Sequence, residues 1–451
     1  MQCLLRLPGT WLAHIAFAAL MLVGREFFPI GLFGADPSKP NGPSKLAADA
    51  HEKAKIAPSS VVPPGKMTVW LQAPDEKKRL AALREVSWGS PTDPEVVAAI
   101  EALVRDAAKR KTITESGHVA LGVLARCPLP EADIALGTAL QAADWRARVV
   151  AASAIAQRES GGMLTKELLA CWRSPMATQH YALRHAVVCA LSEADDSTGI
   201  AATIDLLQQL DGQLKFEAVA RLTQRTGQDL GDEGDAWETW WRQRPTGWTP
   251  MILSRADLPE DVAWKEPVPE FFGVKIYAKR VLFVVDVSSS MRSTLDGKTR
   301  ILTAQEELQR AISALPEDGW FNVIFYNEQV YPWRPTLVQA TADNRLTALQ
   351  KIFSIDPEGA TALNDAMEMA VDFPTPTITL PGYIEQVLLL TDGKPTAGRI
   401  TAPEAIVANI SARNILNRTR IDTLGIDSSD SPEELLRQLA QQNFGKYHRL
   451  R

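Results

Sequence analysis

Two aspartates stand at the ends of continuous apolar runs in the C-terminal half of this 451-residue sequence. Val281–Val285 leads into Asp286, and Val387–Leu390 leads through Thr391 into Asp392. Short apolar runs bounded by turn residues are typical of strands buried in a parallel sheet. The carboxyl ends of parallel strands share one edge, and open α/β sheets bind their ligands there. We therefore expect the two carboxylates to lie close together at a binding site.

Hydroxyl groups follow the first aspartate at positions from which they can reach the same point. Ser288 and Ser290 stand two and four residues after Asp286, on the loop that leaves the strand. Carboxylate and hydroxyl oxygens together suit a hard divalent cation, Mg²⁺ above all, with Mn²⁺ or Ca²⁺ also compatible. The residue types and their spacing therefore predict a metal site at the edge of the sheet.

Three features together resemble the metal-ion-dependent adhesion site of von Willebrand factor A domains. Residues 286–290 match its Asp-x-Ser-x-Ser motif, Gly359-Ala360-Thr361 matches its loop threonine, and Thr391-Asp392-Gly393 matches its strand-end aspartate. The resemblance extends from Lys279 to the last residue, with the order and spacing of the motifs preserved. Ser289 stands where the family often has glycine, a departure that removes no ligand.

The resemblance implies that residues 279–451 form a doubly wound, mostly parallel, six-stranded Rossmann-like domain that binds rather than catalyses. In this family Ser288, Ser290 and Thr361 would ligate the metal directly, and Asp286 and Asp392 largely through water. The ion would then attract a further anionic ligand, an Asp or Glu carboxylate of a protein partner. Two alternatives stay open: a loop capped by Asp286 without metal, and a site that folds but no longer binds an ion.

The elements around these motifs alternate between strand and helix, which predicts an α/β domain with a mainly parallel sheet. The strand at 330–333 is expected at the edge of that sheet. The predicted strands are 281–285, 321–325, 330–333, 387–390, 420–426 and 446–450. The predicted helices are 300–315, 344–353, 361–371, 403–412 and 432–442.

An all-α domain is predicted before this region, from about residue 75 to residue 244. Ala-rich segments recur at 120–125, 151–156, 187–191 and 218–222, at offsets of about 31, 36 and 31 residues, the size of a helix pair in an α-solenoid. The period resembles HEAT or armadillo-like repeats, and an irregular helical bundle is the alternative. Three tryptophans share one helix face at its end and are expected to close the core rather than to form a carbohydrate or peptide platform. They are Trp237, Trp240 and Trp241.

The N-terminus predicts export. The apolar run Trp11–Val23 is too short for a bilayer of about 30 Å but suits a signal peptide, here assigned to residues 1–35. An uncleaved anchor is the alternative, if Phe27–Phe33 extends the apolar stretch. Pro-rich composition predicts a flexible spacer at 36–70 and a linker at 245–278. The expected location is therefore periplasmic, cell-surface or secreted, with no membrane span in the mature chain.

Other classes of function receive no support from the sequence. A net charge of −6 without a Lys/Arg cluster argues against nucleic acid as a partner. Neither a Gly-x-Ser-x-Gly nor a His-Glu-x-x-His motif occurs, so we predict no enzyme. His185 and Cys189 lie four residues apart on a helix, but no second pair joins them in sequence, and we interpret both as buried helix residues. Cys127, Cys171 and Cys189 are likewise expected to behave as small hydrophobes.

The sequence therefore predicts an exported, metal-dependent protein-binding or adhesion protein, with the helical repeats as its scaffold. The alternative is a non-catalytic regulatory or scaffolding subunit of a larger exported or ATPase-coupled complex.

Overall fold

The computed structural model describes residues 62–63, 65–158, 164–194, 196–251, 261–295, 297–375, 383–426 and 432–450. The predicted signal peptide and most of the predicted spacer lie outside these residues, as do residues 252–260 of the predicted linker. Within the described ranges, no helix combines the length and the apolarity that a membrane crossing requires.

Helices make up the described part of the chain before residue 250. They are α1 (Met67–Leu71), α2 (Glu76–Ser87), α3 (Pro94–Lys109), α4 (Glu115–Leu124), α5 (Pro130–Ala139), α6 (Trp145–Ile155), α7 (Thr165–Trp172), α8 (Pro175–Gln179), α9 (Tyr181–Ser192), α10 (Ser197–Leu206), α11 (Gly212–Thr226) and α12 (Gly234–Gln243). Polar side chains that accept a hydrogen bond from the first turn cap α2, α3, α4, α6 and α10. These caps are Asp75, Asp93, Thr114, Asp144 and Asp196.

The helices stack in two layers around one apolar core that extends from Leu71 to Trp237 and continues to Val262 and Tyr277. Successive members of the series α2, α4, α6, α9 and α11 contact one another, while α3 contacts α5 and α10 contacts both α7 and α12 in the second layer. Stacked helix pairs have this arrangement. Trp237 is fully buried at the end of the core, and Trp240 and Trp241 pack against it. Among the described residues, the first helix begins at Met67, inside the range assigned to the spacer.

An α/β domain follows. Its strands are β1 (Glu270–Phe271), β2 (Val274–Lys275), β3 (Arg280–Asp286), β4 (Thr294–Leu295), β5 (Lys298–Thr299), β6 (Trp320–Tyr326), β7 (Val330–Pro332), β8 (Val338–Gln339), β9 (Gln386–Thr391), β10 (Arg420–Ile426) and β11 (Tyr447–Leu450). Its helices are α13 (Arg300–Ala314), α14 (Ala342–Phe353), α15 (Leu363–Val371), α16 (Pro403–Asn414) and α17 (Glu433–Gln441).

The main sheet has seven strands in the order β11-β10-β9-β3-β6-β7, with β8 also paired to β6. The pairs among β11, β10, β9, β3 and β6 are parallel, and β7 and β8 are antiparallel to β6. The fold class is therefore the predicted one, and β7 is the predicted edge strand. The predicted number of six strands is one too few, because β8 is two residues long and has no apolar run to mark it.

Helices cover both faces of this sheet. Side chains of α13 and α14 pack on one face, and side chains of α15, α16 and α17 pack on the other. Phe271 of β1 is fully buried in the first of these cores, so part of the predicted linker belongs to the domain. Since β3 lies between β9 and β6, the chain connections diverge at its carboxyl end, where the first predicted ligand stands.

Candidate metal centre

Asp286 is the last residue of β3 and is fully buried. One carboxylate oxygen accepts the backbone N–H of Ser288 at 2.9 Å, and the other accepts the hydroxyl of Thr391 at 2.6 Å. Thr391 ends the neighbouring strand β9, to which β3 is parallel. Adjacent parallel strands therefore fix both the position and the rotamer of this carboxylate.

Asp392 follows β9 directly and is 1% exposed. Its Oδ1 accepts the hydroxyl of Ser290 at 2.6 Å, and its Oδ2 accepts Arg300 Nη1–H at 2.5 Å. The Ser288 hydroxyl oxygen lies 3.1 Å from that of Ser290. A chain of close oxygen contacts thus runs from Ser288 through Ser290 to Asp392, and it joins the first and the last of the three motifs.

Thr361 lies on the loop before α15 and is buried. Its backbone N–H donates to Thr396 Oγ1, and its carbonyl oxygen accepts the Thr396 N–H, each at 3.0 Å. A Cβ on Gly393 would lie 3.6 Å from Ser290 Oγ and 3.9 Å from Thr361 Oγ1. The motif of Thr361 therefore faces the same point as the motifs of Asp286 and Asp392. The structure brings all five predicted site residues together.

Gly359 connects the threonine loop to the serine loop. Its φ of +75° favours glycine, and a Cβ there would meet Glu328 Oε2 at 2.5 Å. The Gly359 carbonyl oxygen accepts the N–H of Ser289 at 3.1 Å, and the Glu328 carboxylate accepts the N–H of Ala360 at 3.1 Å. The glycine of this motif therefore allows a close backbone approach that positions Thr361.

Burial dominates the electrostatics of the cluster. Burial, with a smaller contribution from the charge of Asp392, raises the pKa of Asp286 from 3.8 to about 6, against the hydrogen bonds from Ser288 and Thr391. Burial and the charge of Asp286 also raise the pKa of Tyr326, whose hydroxyl lies close by. A nearby cation would stabilise the charged form of a buried carboxylate whose pKa is raised in this way.

The oxygen spacing fits a small divalent ion. Adjacent ligands of an octahedral Mg²⁺ ion with bonds of about 2.1 Å are roughly 3 Å apart. The separation of 3.1 Å between the hydroxyl oxygens of Ser288 and Ser290, two residues that would ligate directly, is close to that value. Two carboxylates and three hydroxyls are also the donor types that this ion prefers.

Arg300, which no sequence motif marks as a site residue, is 13% exposed and contacts Asp392. The residue reaches the site because the short ribbon of β4 and β5 folds the chain back on itself. The Arg300 N–H then donates to the carbonyl oxygen of Ser293 at 2.9 Å. Two-residue strands leave no apolar pattern, so the sequence carried no signal for this contact.

His185 and Cys189 are buried on α9, as the sequence indicated. A third ionisable residue, Glu217 of α11, lies beside them in the folded chain. The prediction that His185 and Cys189 are buried helix residues is confirmed, and Glu217 is a neighbour that the sequence did not indicate. Glu217 is distant from this pair in sequence and comes close to it because α11 stacks against α9.

Residues 279–449 match the family described as von Willebrand factor type A domain. The chain therefore has a von Willebrand factor A domain as its C-terminal part, after the helical region.

Among curated proteins, this part of the chain is similar to inter-alpha-trypsin inhibitor heavy chains of Homo sapiens. Heavy chain H4 is 34% identical over 182 residues, covering 40% of this chain and 19% of that protein. Heavy chain H6 is 31% identical over 185 residues, covering 40% of this chain and 14% of that protein. The chain thus spans less than a fifth of the length of these relatives. A solved von Willebrand factor type A structure from Catenulispora acidiphila is 25% identical, with a TM-score of 0.33, covering 39% of this chain and 40% of that one.

Proposed function

We propose that this chain is an exported, metal-dependent protein-binding protein. In this proposal the von Willebrand factor A domain binds Mg²⁺, or Mn²⁺ or Ca²⁺, and a protein partner supplies an Asp or Glu carboxylate as a further ligand. The helical region, as a HEAT- or armadillo-like repeat array, is the scaffold that presents the domain. The ligands would be Asp286, Ser288, Ser290, Thr361 and Asp392.

One observation carries the proposal: five oxygen-bearing side chains from three separate loops face one point at the carboxyl edge of the sheet. Their contacts cross more than 100 positions of sequence, as between Ser290 and Asp392. Ser290 is exposed, while Asp286 and Asp392 lie beneath it. An ion bound here would therefore be reachable from solvent on one side, which is what a partner carboxylate requires.

Arg300 supports the arrangement in which Ser290 is exposed and the two carboxylates lie beneath it. Its guanidinium contacts Asp392 Oδ2 and leaves Oδ1 on the side of the serine hydroxyls. The two carboxylates then carry less net negative charge than they would alone. An ion at the serines would keep more of its own positive charge for an incoming anion.

Metal binding can be tested directly by calorimetric titration of the purified full chain with Mg²⁺ and Mn²⁺. Asp392→Asn removes a proposed ligand charge and should abolish the binding heat. Asp356→Asn is the matched control, because Asp356 is an exposed acid on the neighbouring loop that pairs with Arg292. Unchanged titrations for Asp392→Asn would mean that the ions bind elsewhere, and a wild type without binding heat would replace the proposal with a site that folds but binds no ion.

Partner binding is tested separately, with the protein immobilised and the exported fraction of the source cells passed over it. A partner retained in Mg²⁺ and released by EDTA would then be purified and its affinity measured. Substituting single Asp and Glu residues of that partner by Ala should identify one carboxylate whose loss equals the effect of EDTA. Retention that is insensitive to EDTA, or to every carboxylate of the partner, contradicts the metal-bridged mode.

A further inference from the structure

A second cluster of ionisable side chains lies where the helical region meets the von Willebrand factor A domain. His185 and Cys189 stand one turn apart on α9, and Glu217 comes from α11; all three are buried. Cys189 Sγ lies 3.5 Å from His185 Nδ1, and Glu217 Oε2 lies 2.9 Å from His185 Nε2. The imidazole therefore has a thiol at one nitrogen and a carboxylate at the other.

The arrangement of thiol, imidazole and carboxylate in a row suits a reactive thiol better than a metal site. A metal ion needs its ligand atoms to point at one centre, whereas these two groups contact opposite nitrogens of the ring. Arg418 of the von Willebrand factor A domain also donates Nε–H to His185 Nδ1 at 2.8 Å, and its positive charge opposes a bound cation. A thiol, an imidazole and a carboxylate in a row is the arrangement that activates nucleophilic cysteines.

The backbone around the cluster is strained on the domain side. Arg418 and Phe444 have φ values of 54° and 65°, in the region that favours glycine, and few other described residues share this feature. Arg418 contacts His185 through its hydrogen bond, and the Phe444 ring centre lies 5.3 Å from that of His185. Such strain persists where the surrounding structure imposes it, often at functional sites.

Cys189 lines a cleft of about 250 Å³ between the two parts of the molecule. The cations in its wall are Arg221 and Arg418, and Glu193, which pairs with Arg221, is the acid. His185 and Glu217 are not part of the wall, so they lie behind the sulfur as seen from the cleft. A molecule in the cleft would meet the thiol first and find two guanidinium groups beside it.

The charges around the sulfur favour its thiolate form. Burial alone raises the pKa of the Cys189 thiol, but the neighbouring His185, Arg221 and Arg418 outweigh it and hold the pKa below the usual 9.0. Burial instead raises the pKa of Cys127 and of Cys171 above 9.0. The helical region thus contains one activated cysteine and two buried cysteines that serve as internal references.

We propose that Cys189 is a covalent modification site that exchanges with small anionic disulfides entering this cleft. The thiol gives its proton to solvent, or to His185 Nδ1 when Arg418 moves aside, and the thiolate attacks one sulfur of the disulfide. A new S–S bond forms at Cys189 as the old one breaks, and the departing thiolate takes up a proton. One disulfide is consumed and one is formed, so no other oxidant is required. Arg221 and Arg418 favour an anionic disulfide and its anionic leaving group.

The experiment uses the full chain and two disulfides of similar length and opposite charge, dithiodipropionate and cystamine. Peptide mapping by mass spectrometry follows each cysteine separately in the folded protein. Cys189 should form the mixed disulfide about tenfold faster than Cys127 and Cys171, and dithiodipropionate should react faster than cystamine. Each rate is divided by the rate of the same disulfide with the urea-unfolded chain, which removes the difference between the two leaving thiols. Equal rates at the three described cysteines would overturn the proposal, and a larger normalised rate with cystamine would overturn its anionic specificity.

The pH profile of the same reaction tests the activation. The rate at Cys189 should level off at a lower pH than the rate of an ordinary thiol, which continues to gain rate up to its own higher pKa. Arg418→Gln removes one cation and should move this midpoint upward. Arg413→Gln, on α16 and paired with Asp372, should not. A wild-type midpoint at the ordinary thiol value contradicts the proposal whatever the variants do. The titratable groups near the sulfur are Tyr181, His185, Glu193, Glu217, Arg221 and Arg418.

Discussion

Each carboxylate of the candidate metal centre is held by a different kind of partner. Asp286 accepts only neutral donors, from Ser288 and Thr391, whereas Asp392 accepts both a hydroxyl and the guanidinium of Arg300. The charge of Asp392 is therefore partly offset within the protein, while that of Asp286 is not. Consequently, the two residues should respond differently when each is neutralised.

Asp286→Asn should stabilise the metal-free protein and abolish its metal binding. Burial raises the pKa of Asp286 from 3.8 to about 6, so between these values the folded chain keeps a proton that the unfolded chain has lost. This residue therefore lowers the free energy of unfolding as the pH rises from about 4 to about 6, and the loss persists above that. At pH 7 the variant should be more stable by on the order of 2 kcal/mol. Urea titrations in EDTA measure the difference, and a variant no more stable than wild type at pH 7 would contradict it.

Arg300→Gln should tighten Mg²⁺ binding. The guanidinium lies 2.5 Å from Asp392, and its removal leaves a more negative site for a divalent cation. The gain should be about three- to tenfold in the dissociation constant measured by calorimetry, or roughly 1 kcal/mol. Arg310→Gln is the control, since Arg310 lies on the same helix but is largely exposed and pairs with Glu307. Weaker binding by Arg300→Gln would mean that Arg300 chiefly positions Asp392.

At the scale of elements, the long strands could be predicted and the two-residue strands could not. Continuous apolar runs marked β3 and β9 because these strands are buried on both faces, and β6 and β10 are long enough to show mostly apolar residues between turn signals. The ribbons β1–β2 and β4–β5 have two residues in each strand, too few for any period to emerge. The motif residues were therefore predictable, because they stand at ends of long strands or at a helix start. Arg300 and the contact of His185 with Arg418 depend on tertiary folding.

Helix α6 provides a test of how the helical region is stabilised. Its cap, Asp144, is 2% exposed and accepts the N–H of Arg146 at 3.0 Å and that of Ile113 at 2.6 Å. Asp144→Ala removes the cap and leaves a buried N–H without its acceptor, which should cost about 2 to 3 kcal/mol. Asp93→Ala removes an exposed cap of α3 that accepts only the N–H of Glu95, and should cost about 1 kcal/mol. Chemical denaturation of both variants measures the difference, and equal losses would contradict the role given to Ile113.

At the scale of the whole molecule, the two parts share buried contacts. The ring of Tyr181 stacks on that of Tyr383 at 4.3 Å, and Phe216 stacks on Tyr277 at 3.9 Å. The buried carboxylate of Glu385 accepts backbone N–H groups from both sides of the junction, at Gln213 and Lys279. Burial raises the pKa of Glu385 to about 7, despite these hydrogen bonds. The sequence predicted separate domains joined by a linker. It did not indicate these contacts, because no local pattern shows which distant faces will meet.

These contacts predict that the described parts unfold together and that metal bound at one end stabilises both. A ligand at 100 times its dissociation constant adds about 2.7 kcal/mol to the free energy of unfolding of the unit that binds it. In calorimetric scans of the full chain, Mg²⁺ should therefore shift one shared transition, which includes the helical region. Ser290→Ala should remove the shift, because it deletes a proposed ligand that is exposed and costs the fold little. Ser289→Gly, at a position that is not a proposed ligand, should keep it. Two transitions of which only one responds to Mg²⁺ would mean that the helical region and the von Willebrand factor A domain are energetically independent, and the contacts at Glu385 and Tyr383 would then contribute little to stability.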